Sequence, residues 1–167
     1  MTKEAAKDLA EAFIDYLGGL KTTKCWTPAR AALRRSLAFD PGAYPPVFPY
    51  VEPFIGGEDG WRREVLYLVA GLYALKDGEH QPGRTLALAL RELWEKRQSV
   101  EGRFLALLDA DRDELPFRLR QAAGMVEGGI DFSALTRDLL DWFHPDRYRQ
   151  AKWAREFYRK REEGGGQ

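Results

Sequence analysis

Apolar residues in this 167-residue chain recur at intervals of three and four along most of its length, and no stretch reads as the alternation of a strand. A spacing near 3.6 places a stripe on one side of a helix, whereas a half-buried strand needs a spacing of two. The pattern predicts an all-α fold of about seven or eight helices with no sheet. Residues 3–17 form the first, with Leu9, Phe13, Ile14 and Leu17 on one side and Gly18-Gly19 as its stop. Residues 59–76 form the most apolar and central one, through Trp61, Val65, Leu68, Leu72 and Leu75. Residues 83–97 carry Leu86, Leu90, Leu93 and Trp94. A helix over 100–109 follows, then one reaching Val126 that starts from the capping box of Asp111 and Glu114 and buries Leu115, Leu119, Ala122 and Val126. Asp131 caps a helix over 132–142, burying Phe132, Leu135, Leu139 and Trp142 or Phe143. The last helix, 146–162, turns Trp153, Phe157 and Tyr158 inward.

Five prolines between Asp40 and Gly57 forbid a long regular element there. The segment is too apolar for a linker: Tyr44, Val47, Phe48, Tyr50, Val51, Phe54 and Ile55 are expected to wrap across the helices and cover core. Gln98 and Ser99 mark a boundary, giving an N-terminal helical bundle over 1–97, with the Pro-rich loop at 40–57, and a C-terminal bundle over 98–162. Residues 163–167 are expected to be a disordered tail.

Positive charge is unevenly distributed. The chain is neutral overall, with 26 Lys and Arg against 26 Asp and Glu. The stretch KTTKCWTPARAALRRSLAFD at 21–40 nevertheless holds five cations and one anion, and residues 145–163 hold seven cations against four anions. Thr27 is the expected N-cap and Pro28 the first helical residue, since its missing N–H would be unpaired in the first turn anyway. Arg30 and Arg34, four apart, then project together from the flank of the stripe made by Ala29, Leu33 and Leu37, while Arg35 points further round. Lys21 and Lys24 precede the helix, so ammonium groups sit near a terminus whose N–H groups already favour an anion. This is phosphate chemistry, although arginines on a wet helix face also serve solubility alone. Arg118, Arg137, Arg147 and Arg149 are the candidates in the second bundle. Arg137 has an alternative in pairing with Asp141, and Arg147 and Arg149 in solvating the last helix.

The residues of known catalytic and metal sites do not assemble. His80 and His144 stand alone, there is no Cys-x-x-Cys, no Gly-x-x-x-x-Gly-Lys and no Gly-x-Ser-x-Gly, and Cys25 has no disulfide partner. Neither a cofactor, a metal nor a catalytic residue is expected. The carboxylates of DADRDE at 109–114 read as caps before they read as a Mg²⁺ site, and Cys25 reads as inert before it reads as a nucleophile. Trp26 could stack on a base, but a residue just before an N-cap more often staples the helix by packing. No apolar run approaches the roughly 20 residues of a bilayer span, and a cytoplasmic protein without membrane contact is expected.

Three segments together resemble a known family: TPARAALRRSLAF, LRQAAGMVEGGIDFSALTRDLLDWF and WAREFY. Within them, Ala-x-Leu-Arg-Arg at 31–35 and the spaced pattern Asp-Phe-x-x-Leu, Asp-Leu-Leu-x-Trp and Trp-Ala-x-x-Phe-Tyr over 131–158 are the most specific. Read from about residue 16 to 158, the chain resembles the CasB family, the small subunit of the type I-E CRISPR surveillance complex, Cascade. The resemblance implies an all-α protein of two bundles without enzymatic activity, present as two copies running head to tail and in contact with other Cascade subunits. It further implies a basic surface that meets the CRISPR RNA (crRNA) and target DNA backbones and stabilises the displaced strand of the R-loop, in antiviral defence. Two other readings fit the residues less fully: a helical adaptor whose basic patches meet acidic protein surfaces, and a small hydrolase or transferase without a recognisable motif.

Overall fold

The computed structural model describes residues 2–159, and the expected tail at 163–167 lies outside them. Among the described residues there are nine α-helices and one 3₁₀ turn. No strand is present there, only an isolated bridge pairing His80 with Ile130. The fold is all-α. One helix more than expected appears because the Pro-rich stretch forms a 3₁₀ turn, Pro45–Val47, running into the short helix α3, Phe48–Ile55. Pro49 occupies the first turn of α3, where no N–H is needed, and Pro53 interrupts the ladder of a helix only eight residues long. Its role is the expected one: Val47, Val51 and Ile55 are buried, and Phe48, Tyr50 and Phe54 lie against the core. The Tyr16 hydroxyl donates to the Tyr50 carbonyl at 2.8 Å, and the Tyr67 hydroxyl to Glu52 at 2.6 Å, fastening the segment to two neighbouring helices.

Helix α1 spans Lys3–Lys21, capped by Thr2 through the Ala5 amide. It does not stop at Gly18-Gly19. Two helical glycines cost about 1 kcal/mol each relative to alanine, but burial of Phe13, Ile14 and Leu17 holds the preceding turns in place. The end comes where the Thr22 and Thr23 hydroxyls bond back to the Gly19 and Leu20 carbonyls. Helix α2 spans Trp26–Ser36 and so begins two residues before Pro28. Thr27 is not its N-cap: Cys25 precedes the helix in αR geometry with no side-chain cap. Trp26 is drawn into the first turn instead, its indole packed edge-on against Tyr73 with centroids 6.0 Å apart.

Helix α4, Gly60–Leu75, is the centre of the fold, with residues 65–74 all buried. It packs against α2, α3, α7 (Leu115–Met125) and α8 (Phe132–Leu140). At Gly71 the crossing with α2 is so close that an added Cβ would stand 3.2 Å from the Leu33 carbonyl oxygen and 2.6 Å from Leu37. α2 therefore turns Leu33 inward and its arginines outward. Helix α5, Leu86–Trp94, is capped by Thr85 and packs on α6, Val100–Asp109, and on α9, Tyr148–Tyr158. Phe157 joins these elements, stacked on Phe104 at 4.1 Å and on Trp94 at 4.8 Å. The hydrophobic core is continuous from Phe13 to Phe157.

Three local expectations differ from the structure. Asp111 does accept from the Glu114 amide, but the helix proper starts only at Leu115, after an extra turn. Helix α8 ends at Leu140, two residues early, which leaves Trp142 fully buried and Phe143 exposed. Tyr158 is not turned inward: it stays largely exposed, with its hydroxyl donating to Glu101 at 2.8 Å.

Candidate nucleic-acid interface

The C-terminal end of α1, the start of α2 and the turn after α4 converge at one corner. Asp77, in left-handed geometry with φ 56°, and Gly78, with φ 69°, reverse the chain after α4 and present a carboxylate and a carbonyl to the neighbouring cations. Lys21 donates its ammonium to the Gly78 carbonyl at 3.1 Å, with its stem lying across Gly78. Arg30 pairs with Asp77. Both partners are substantially exposed, so the pair is worth about 0–1 kcal/mol and is screened by salt. Lys24, Arg34 and Arg35 are exposed, and their side chains form no hydrogen bond or ion pair among the described residues. Of the five cations expected at this corner, two are tethered weakly to the turn and three face solvent without a partner among the described residues.

The second group is built differently. Arg149 donates to Asp138 at 2.8 Å, and that carboxylate, 1% exposed, also takes the Trp153 indole N–H at 2.7 Å and faces Lys152 at 3.4 Å. Arg149 is itself only 15% exposed and lies over the Tyr148 ring, so its charge is committed inward. Arg147 takes left-handed backbone geometry, φ 53°, just before α9 and donates to the Leu108 carbonyl at 2.6 Å. Arg137 does not meet Asp141; it reaches Glu11 on α1, 3.8 Å away, because α1 and α8 lie side by side. Arg118 pairs with Glu114 at 3.5 Å and lies 5.7 Å from the centre of the Phe117 ring, which stays 58% exposed. Each of the four side chains has a partner within the chain.

Two exposed arginines on α9 and just beyond it, Arg155 and Arg159, together with Lys96, Arg97 and Arg120, also have side chains without a hydrogen bond or ion pair among the described residues. Charge counting over 145–163 hints at the first two; no periodicity distinguishes the others. Cys25 is exposed. The 109–114 carboxylates do not converge: Asp111 caps and Glu114 pairs with Arg118. No group of three metal-ligating side chains forms among the described residues, and none of their helices is long and apolar enough to cross a membrane. His80 is occupied in holding the bridge, its Nδ1 accepting from the Phe132 amide at 3.1 Å. Tyr73, which supports Trp26, has its hydroxyl pushed up from its usual range by burial.

Fold and surface together define a small all-helical protein with local, exposed cationic groups on a neutral body. A family model described as CRISPR-associated protein Cse2 matches residues 29–158. The CRISPR-associated protein Cse2 of Thermus thermophilus is 64% identical over 154 residues, which cover 89% of this chain and 89% of that protein. The crystal structure of a Cse2-family protein from Thermus thermophilus has a TM-score of 0.86 at 62% identity, covering 89% of this chain and 97% of the other. CasB from M. ruber has a TM-score of 0.74 at 38% identity, covering 90% and 93%. A chain of a CRISPR RNA-guided surveillance complex shares the fold with a TM-score of 0.74 at 22% identity, covering 92% and 94%. The chain belongs to the Cse2 (CasB) family of CRISPR-associated proteins.

Proposed function

We propose that this chain is the non-catalytic, nucleic-acid-binding small subunit of a type I-E Cascade complex in the cytoplasm, where it holds phosphate backbones of the crRNA, the target DNA and the displaced strand. The observation that carries the reading is the set Lys24, Arg34 and Arg35: three exposed cations on and before one helix, with no hydrogen bond or ion pair among the described residues, on a protein whose net charge is zero. Cations left unpaired on a neutral protein are available to displace condensed counterions from a phosphate chain. Arg30 and Lys21 extend the surface once they let go of Asp77 and Gly78, an exchange made easy by their exposure. Arg118, Arg137 and Arg149 already face carboxylates and Arg147 a backbone carbonyl, so each must exchange a partner before it can hold phosphate. Membership of the Cse2 family and the shared fold of a surveillance-complex chain support the assignment to Cascade. Within the complex, two copies stack head to tail, a heterologous contact that need not close.

The test is titration of the purified chain with labelled single strands and duplexes of unrelated sequence, with and without excess poly-glutamate. Binding is expected to be indifferent to sequence and to fall steeply with salt. Strands that bind weakly and are displaced completely by poly-glutamate at equal charge would support an adaptor for acidic proteins instead, whereas salt dependence alone does not separate the two, both being electrostatic.

A further inference from the structure

An aromatic ring stands uncovered at the end of the cationic helix. Phe39 lies three residues beyond Ser36 and is 46% exposed. It is held firmly all the same: its ring stacks on Tyr44, with centroids 4.7 Å and planes 13° apart, and its amide donates to the Ser36 carbonyl at 3.0 Å. One ring face is thus backed by a second aromatic, while the residue as a whole stays 46% exposed. Arg35 is four residues earlier on the same turn, tied to it through the Ala38 amide at 3.1 Å, and Arg34 precedes it. Neither arginine side chain has a partner among the described residues. Asp40 is the one carboxylate adjacent in sequence.

We propose that Phe39 is a base-stacking platform, on which an unpaired base of a single strand lies while Arg34 and Arg35 hold the flanking phosphates. This rests on the nucleic-acid reading above and deepens it: among those ligands, strands with free base faces gain a contact that duplexes lack. Every base has a π-face, so stacking on a fixed ring adds affinity without reading sequence. In a duplex those faces are already covered by neighbouring bases. The other aromatic candidates are otherwise engaged. Trp26 turns inward onto Tyr73, Phe143 leans on Trp61, and Tyr158 is tied to Glu101, while Phe117, 58% exposed, has no second ring behind it among the described residues and beside it only Arg118, which is paired with Glu114. Phe39 is an exposed, backed ring close in sequence to cations without a partner among the described residues, and unlike Tyr158, which has Arg155 and Arg159 nearby, it is not tied to a carboxylate; that charge complementarity selects a polyanion over an apolar protein partner.

The experiment compares an oligothymidylate, an abasic strand of the same length and a duplex, each titrated with the full-length wild-type chain and with Phe39→Leu and Phe39→Tyr variants. The wild type is expected to bind the base-bearing strand roughly 5- to 150-fold more tightly than the abasic one, the range that one stacked base supplies. Phe39→Leu, which keeps apolar bulk against Tyr44, should lose that preference and bind the abasic strand as before; Phe39→Tyr should retain it. Equal wild-type affinity for the two strands overturns the proposal whatever the variants do. So does a Phe39→Leu chain that melts normally and keeps the preference, or one whose only defect is in association with another protein of the complex. In these cases the abasic strand still binds and the backbone-reading function stands, whereas a wild type that binds none of the three ligands removes both.

Discussion

Replacing Arg34 and Arg35 together by alanine isolates the part of the α2 surface that has no structural duty. Both side chains are exposed and unpaired among the described residues, so each change should alter stability by no more than about 0.5 kcal/mol. Helicity should stay the same or rise slightly, because alanine is the best helix former. Binding responds differently. Each lost phosphate contact reduces the slope of log K against log salt by about 0.7 for single strands and about 0.9 for duplex, so two contacts remove about 1.4 or 1.8. Between about 50 and 200 mM salt the wild type should then lose about 7-fold more affinity for a single strand, and about 12-fold more for a duplex, than the double variant does. Fluorescence anisotropy over that salt range, with thermal melts of both proteins, measures the difference directly. A double variant that melts like the wild type and keeps both affinity and slope would return these arginines to the role of a solvated face.

Asp77→Asn should free Arg30 while keeping a residue that tolerates left-handed geometry, and the salt slope should steepen by up to about 0.7 for a single strand; an unchanged slope would mean that Arg30 does not reach phosphate. Asp138→Ala strips the buried Arg149 guanidinium and the Trp153 indole of their acceptor and should cost about 3–5 kcal/mol in urea unfolding, and a loss under about 1 kcal/mol would refute the buried network. Gly129→Ala would place a Cβ 2.5 Å from the Glu79 carbonyl oxygen beside the His80–Ile130 bridge, and should destabilise by about 1–3 kcal/mol or more, whereas Gly102→Ala, in the first turn of α6 with open space around it, should stabilise by up to about 0.5 kcal/mol. The Tyr67 hydroxyl, and after it Arg63, hold the Glu52 carboxyl below its ordinary value of 4.5, against the opposing effect of burial. Because the folded value is the lower one, the stability this gives is complete above pH 4.5 and is lost as pH falls through the folded value, so melting temperature should drop less on acidification in Glu52→Gln than in wild type. Cleavage between Gln98 and Ser99 should leave the two proposed bundles associated and melting together, since α1 packs on α8 and α5 on α9; two separate transitions would mark independent units.

Helices are legible in the sequence because their period is a local property: Phe13, Ile14 and Leu17, or Phe132, Leu135 and Leu139, declare a buried face within a dozen residues. Caps are local too, and Asp131 is recognisable from its place before an apolar run. Boundaries shift where a distant partner intervenes. Tyr73 draws Trp26 into α2 from 47 residues away, and the buried stripe of α1 carries the helix through two glycines. The sequence also locates the densest run of positive charge, at 21–40, since a count needs no coordinates. Which cations remain available is a different question, and only tertiary structure decides it. Arg137 finds Glu11 across 126 positions, Arg147 finds the Leu108 carbonyl across 39, and Arg30 finds Asp77 across 47. The side chains of Arg34 and Arg35 find no partner among the described residues. An arginine reads the same in sequence whether its charge is answered or open, because a long side chain pairs with whatever the packing of helices brings within a few ångströms, and that packing is set by apolar residues elsewhere in the chain.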